Sequence, residues 1–364
     1  FFWRFARAEK PALRAAWQPL AAALVSLVLA GGSFWAVDLP IGVEFTADRF
    51  TMPFMFGAGL LLAALIGLLP FGRLGRGLAF GLLLGLAVGM QFVNAQAYRR
   101  DWVYQQNLFW QMSWRIPALQ DGTTLLINES DMPHYTDNSL TAPLNWLYDP
   151  DSTSREMKYW LAWPSMRLGV EIPALSPGLP FTVDYRAATF NGSTERMLAV
   201  LYNPPACLRV LDPEVDRHAG IVPDRLKQAL PLSRLELIRA DAAPAQPLPA
   251  LYGGEPPRRW CYYFETADLA RQRGDWQRAA EAGDQALAEG LHPEDAYEYF
   301  AFVEAYAHLG RWDQAAELTR AALAQNEYTS APLCVLWRRI QRETADTPER
   351  AAALTEIIPG LTCP

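Results

Sequence analysis

The sequence predicts a membrane protein with three transmembrane α-helices, a small α/β or mostly β domain beyond them, and a C-terminal stack of α-helical repeats. Three observations carry this: three long uncharged apolar stretches within the first hundred positions, a middle region of short β-prone runs split by turn residues, and a helical tail in which small and aromatic residues recur at matching places. With 364 residues, 51% of them hydrophobic, and a formal charge of −7, the chain can bury more than one core.

The apolar stretches are QPLAAALVSLVLAGGSFWAV (18–37), MPFMFGAGLLLAALIGLLP (52–70) and GLAFGLLLGLAVGMQFVNAQA (77–97). Each has the roughly 20 residues that cross about 30 Å of hydrocarbon, and none holds a charge. Residues 1–97 therefore read as the membrane region. Arg4, Arg7, Lys10 and Arg14 precede the first span against Glu9, and Arg73 and Arg76 lie in the link between the second and third. The intervening loop carries Asp38, Glu44 and Asp48 against Arg49. Positively charged loops stay in the cytoplasm, so everything after about residue 98 is expected outside it, although Arg99 and Arg100 oppose that orientation. Gly77, Gly81, Gly85 and Gly89 recur at four-residue spacing, which on a helix makes a ridge without side chains and predicts close packing against another helix, in this chain or a partner.

Beyond the spans, DWVYQQNLFWQMSWRIPAL places aromatics at helical spacing and predicts an aromatic juxtamembrane helix over 98–119, ended by Pro117. Residues 120–240 read as the small domain. TTLLI (123–127) and CLRVL (207–211) are short strands, and KYWLAW (158–163) is a strand or a short helix. FTVDYRAATF and ERMLAVLY flank Asn191-Gly192, the pattern of a hairpin with its turn at Asn-Gly. The stretch 241–259 is a linker by its proline content, and 260–364 turns helical.

In that tail two segments align at an offset of 36 residues. The alignment pairs Gly274 with Gly310, Trp276 with Trp312 and Ala279 with Ala315. Small residues suit crossing helices and the tryptophans fill the adjoining grooves, so these six are expected to be structural. The pattern resembles tetratricopeptide repeats, which implies antiparallel helix pairs that present a binding surface. Glu265, Asp268, Glu298 and Glu304 are the expected members of an exposed acidic interaction face, for which the partner would be basic.

One stretch invites chemistry: DGTTLLINESDMPHYTDNSLTAPLNWLYDPD, residues 121–151, which is rich in carboxylates and has neither lysine nor arginine. Glu129, Asp131 and Asp137 are candidate oxygen ligands for a divalent metal, but no calcium loop is matched and the lone His134 gives no zinc set. Neighbouring acids in a turn-rich segment are more often solvated, and the same residues fit a loop followed by a short helix bearing Leu144, Trp146 and Leu147, capped by Ser139 or Thr141. The four cysteines lack a CxxC spacing and allow three complete pairings; their different settings favour one disulfide over two. No glycine-rich phosphate loop or other cofactor motif is present, and no basic stripe suits nucleic acid.

The combination of the span DRFTMPFMFGAGLLLAALIGLL, the aromatic segment, the acidic stretch and the terminal repeats resembles the C-terminal portion of large bacterial polytopic membrane proteins, some with a glycosyltransferase-like layout. The resemblance implies the bacterial cytoplasmic membrane and leaves two function classes. One is a membrane-anchored scaffold whose partners are lipid and other membrane or extracytoplasmic subunits. The other is the terminal part of an enzyme transferring sugar from a lipid carrier, although Asp38, Glu44 and Asp48 match no motif that makes one a catalytic acid. The lack of a self-contained catalytic set favours the scaffold.

Overall fold

The computed structural model describes residues 13–42, 47–69, 71–185 and 187–364, so Glu44 and the first basic residues of the chain lie outside the described residues. The chain divides into two compact units, Phe1–Asp101 and Trp102–Pro364.

The first unit contains helices α1 (Leu13–Trp35) and α2 (Met55–Leu68), the latter entered through a 3-10 turn at Asp48–Phe54, and the start of α3 (Arg73–Arg115). The three expected spans are present as helices long and apolar enough to cross a membrane. Two of them pack on each other. Gly57 and Ala64 of α2 are buried, as is Ala23 of α1, and a Cβ on Gly57 would stand 2.8 Å from Leu27 Cγ. Gly57→Leu should therefore separate α1 from α2 and cost about 1–3 kcal/mol, read as a lowered melting temperature of the full chain in detergent; an unchanged melting point would mean the helices re-pack freely. The ridge Gly77, Gly81, Gly85 and Gly89 is different: nothing among the described residues lies within 4 Å of a Cβ at any of the four. Any helix packed there comes from outside the described residues.

Third span and aromatic segment form one helix rather than two. α3 runs for 43 residues, about 65 Å at 1.5 Å per residue, roughly twice the hydrocarbon thickness. Its last turns belong to the second unit, where Leu108, Phe109 and Met112, with Ile116 just past the helix end, are fully buried.

The second unit is organised around a four-stranded sheet ordered β3-β1-β6-β7, from β1 (Thr123–Ile127), β3 (Tyr159–Ala162), β6 (Met197–Leu201) and β7 (Arg209–Val210). The first three strands are parallel and β7 is antiparallel to β6. A second sheet, β2-β5-β4, comprises β2 (Glu156–Met157), β4 (Pro180–Tyr185) and β5 (Ala188–Ser193). Between them come α4 (Asp137–Tyr148) and the one-turn α5 (Pro164–Arg167); α6 (Asp224–Ala229) and α7 (Pro249–Tyr252) follow. Alternation sorts the side chains of the parallel strands. Leu125, Ile127, Leu161 and Leu198 face a core with α4 and the end of α3, while Leu126, Trp160, Met197 and Ala199 face a core shared with β4, β5 and the terminal helices.

α4 is positioned by a capping box in which Thr136, not Ser139 or Thr141, is the N-cap and Ser139 completes the reciprocal bond. Its polar face covers the open edge of β3. Asn145 donates to Tyr159 O (2.8 Å) and accepts from Tyr159 N (3.1 Å), and Thr141 Oγ1 accepts from Leu161 N (3.2 Å). An edge that would otherwise present free backbone groups is thereby satisfied.

The hairpin exists but turns earlier than Asn191-Gly192. β4 and β5 pair in register from Pro180↔Ser193 to Tyr185↔Ala188, which places Asn191 and Gly192 inside β5. Gly192 is there for space: a Cβ would meet the Phe181 and Phe190 rings at 2.6 Å. ERMLAVLY supplies β6 of the other sheet instead.

The terminal helices are α8 (Trp260–Gln272), α9 (Trp276–Ala288), α10 (Phe300–His308), α11 (Trp312–Gln325), α12 (Ser330–Glu343) and α13 (Pro348–Ile357). Gly274 and Gly310 take positive φ (70° and 71°) between the helices of each pair, a backbone state that only glycine adopts readily. Ala279 and Ala315 are buried at matching places, and Trp276 and Trp312 are half-buried at the starts of α9 and α11. Trp276 stacks on His308 at 3.8 Å. The region is a repeat-like helical bundle, yet not a separate unit behind a linker, because its apolar residues merge with those of the sheet in one core. The proline-rich stretch is itself packed: Tyr252 is buried, and Ala245 N donates to Pro117 O (2.8 Å). Both disulfides form, Cys207–Cys261 and Cys334–Cys363, where one was the expectation. The first ties the α/β part to α8 and the second ties α12 to the C-terminal end.

Candidate functional site

Parallel strands end in loops, and where neighbouring loops leave to opposite faces of the sheet a crevice opens that nothing in the fold fills. Here β1 leads to α4 on one face, whereas β3 leads toward the β4–β5 hairpin on the other. At the carboxyl ends of β1, β3 and β6 lies a cleft of about 770 Å³, the size of a small-ligand or peptide site. Asn128 and Glu129 enter it from β1, Pro164 and Ser165 from β3, and Asn203 to Cys207 from β6; the opposite wall is Glu294–Ala296, Gln325 and Asn326 of the repeat region. Both parts of the second unit thus build it.

The local structure fixes these loops firmly. Asn128 extends the β1–β6 ladder with its side chain, accepting from Tyr202 N (2.7 Å) and donating to Tyr202 O (3.0 Å). Ser165 Oγ donates to Glu129, linking the loops after β1 and β3. Behind them Asp137, fully buried at the start of α4, receives both Nε and Nη2 of Arg167 (2.6 Å each) and Trp163 N (3.2 Å).

This arrangement does not bring the three metal candidates together. Asp137 is an internal partner of Arg167, while Glu129 and Asp131 are exposed, and no set of three ligand atoms from this loop gathers within 4.8 Å. The stretch that lacks its own cations is neutralised from elsewhere, by Arg167 and by Lys158, whose ammonium stands 3.2 Å from Asp149. Among the described residues one metal-like group exists, Glu304, His308 and Glu343, but Glu304 already accepts from Arg271 (3.1 Å) and twice from Arg339 (2.8 and 3.0 Å). Two guanidiniums on one carboxylate leave little reason for a cation there.

Beneath the cleft runs a buried seam of charges, and it contains the four acids expected on an exposed face. Glu265 and Glu298 are fully buried, Glu304 and Asp268 nearly so. They form no docking face because all four are buried, and two of them, Asp268 and Glu304, are met by arginines. Asp268 accepts from Arg115 and from Arg271 (2.8 Å), and Arg339 joins Glu304 to Asp212 in the loop after β7. Burial raises the Asp268 carboxyl, but the two arginines overcome it and hold the group down at about 2. Glu265 has no such relief: both of its oxygens lack a hydrogen-bond donor, and burial pushes it well above the carboxylate range, against the partial offset of Arg115. Burial likewise raises Glu298 to about 8, although Cys207 N donates to its Oε1 (2.8 Å). Both therefore hold a proton at neutral pH.

No family model matches the chain, and neither the curated proteins nor the solved structures give a match.

Proposed function

We propose that the protein is a membrane-anchored scaffold whose second unit lies outside the cytoplasm and binds a partner protein through the cleft. The observation that carries this is the joint construction of the cleft: strand ends of the α/β part form one wall and the repeat helices the other, held together by a shared core, the Cys207–Cys261 bond and the ion-paired seam. A repeat bundle locked in this way positions a binding wall rather than sliding over its neighbour. Disulfides persist in oxidising compartments, which supports the outside location that the loop charges suggest. The glycine ridge of α3 offers a second contact, for a membrane helix of a partner subunit.

A photo-reactive residue placed at Ile221 or Tyr328, both exposed beside the cleft, should give a discrete protein adduct in intact cells, and one placed at Trp146 on α4 should not. Equal adducts at all three positions, or none, would overturn the scaffold reading. Sidedness is tested separately: Ser152→Cys, in an exposed loop, should react with a membrane-impermeant thiol reagent in intact cells. Reaction only after detergent lysis would put the second unit in the cytoplasm.

A further inference from the structure

The chemistry of the cleft wall narrows what can occupy it. Glu129, Asp224 and Glu294 are exposed at its rim and Asp295 lies deeper, against two cations, Arg225 and Arg209. Arg209 is not free to answer those acids. It is almost fully buried over the Tyr297 ring, its Nη2 is committed to Asp216, and its Nη1 has no hydrogen-bond acceptor, the oxygen of Asp295 standing 3.9 Å away. An occupant must therefore bring positive charge to the rim and an acceptor oxygen to the interior. A bare metal ion brings charge but no acceptor for Arg209, and among the described residues the rim carboxylates do not gather three ligand atoms within 4.8 Å. A simple polyamine fails the second, because it carries no acceptor.

A peptide meets both. Its backbone carbonyl can accept from Arg209, and the exposed amide of Asn203 matches a peptide group. The exposed rings of Pro204 and Pro205 can cover the methylenes of a long side chain whose charged end reaches the rim. We propose that the cleft binds a short extended peptide segment carrying a basic side chain. This rests on the assignment of the cleft as the binding site and adds the class of its ligand.

Titration of the full chain in detergent with acetyl-Ala-Lys-Ala-amide, acetyl-Ala-Glu-Ala-amide, spermidine and calcium chloride separates the possibilities. The lysine peptide should bind, and the glutamate peptide and spermidine should each be weaker by about tenfold or more. Affinity for the lysine peptide should fall with added salt. The double variant D224N/E294Q should lose about tenfold in affinity or more without a change in melting temperature, because both carboxylates are exposed and neither takes part in an ion pair among the described residues. Equal binding of the two peptides, spermidine binding as tightly, saturable calcium binding that displaces the peptide, full affinity in D224N/E294Q, or no peptide binding at millimolar concentration would each overturn the assignment. An Ile221 adduct in cells alongside absent peptide binding would remove this ligand class and leave the scaffold standing.

Discussion

Asp268→Ala should cost the full chain about 3–5 kcal/mol of unfolding free energy at pH 7, among the larger effects available to a single substitution. The cause is the guanidinium left behind. Arg115 is completely buried; Asp268 takes its Nε, Gln272 takes its Nη1, and Nη2 already lacks an acceptor. Without Asp268 a full positive charge would remain in the core with one neutral partner. Arg271 would suffer less, since Glu304 still accepts from it. The double variant Arg115→Met, Asp268→Leu should recover most of the loss, because a buried pair exchanged for apolar groups of similar size is often neutral. The penalty of the single variant also has a pH signature. The Asp268 carboxyl sits at about 2 in the folded chain, below its ordinary 3.8, so its contribution is present above pH 4 and is lost as pH falls through 2. Denaturant titrations of the three proteins in detergent at pH 7 and pH 3 check this. A loss below about 1 kcal/mol would mean that water reaches the seam.

What the sequence made legible follows from how far each signal reaches along the chain. The three spans were readable because a run of apolar residues is sufficient by itself, and β1 because TTLLI is flanked by a turn. The paired glycines and tryptophans of the repeats were readable because their spacing repeats. Illegible features all depended on contacts between remote residues. Asp268 meets Arg115 across 153 positions, and Glu304 meets Arg339 across 35, so local reading could only place those acids on a solvated face. The same holds for Asp137, whose neutralising arginine lies outside the acidic stretch. Asn191-Gly192 misled for another reason. Asn-Gly favours a turn, but the neighbouring rings of Phe181 and Phe190 needed a residue without a side chain in mid-strand. Gly57 was visible as a small residue in a span, yet nothing in the sequence set it above the more regular ridge of α3. The cleft was beyond reach altogether, because strand order and crossover direction create it.

Glu298→Gln should make the protein more stable at pH 8 and leave it nearly unchanged at pH 4.5. Glu298 keeps its proton in the folded chain up to about pH 8, because burial disfavours the carboxylate, whereas in the unfolded chain it ionises near 4.5. Between those two values the folded state binds the extra proton, so stability falls as pH rises, by about 1.4 kcal/mol per pH unit at most, and levels off above pH 8. Glutamine keeps an oxygen for the Cys207 amide but has no proton to lose, and the slope due to this residue should vanish. Glu265 remains: it is buried without a hydrogen-bond donor and burial raises it well above the carboxylate range, so it retains a slope of its own. The expected wild-type dependence is therefore that of up to two protons, and the variant should show about half of it. Denaturant midpoints of the full chain in detergent at pH 4.5, 6 and 8 measure the slope for each protein. Parallel profiles for wild type and Glu298→Gln would show that Glu298 is already ionised at neutral pH, with water or a rearranged Arg209 supplying the missing partner.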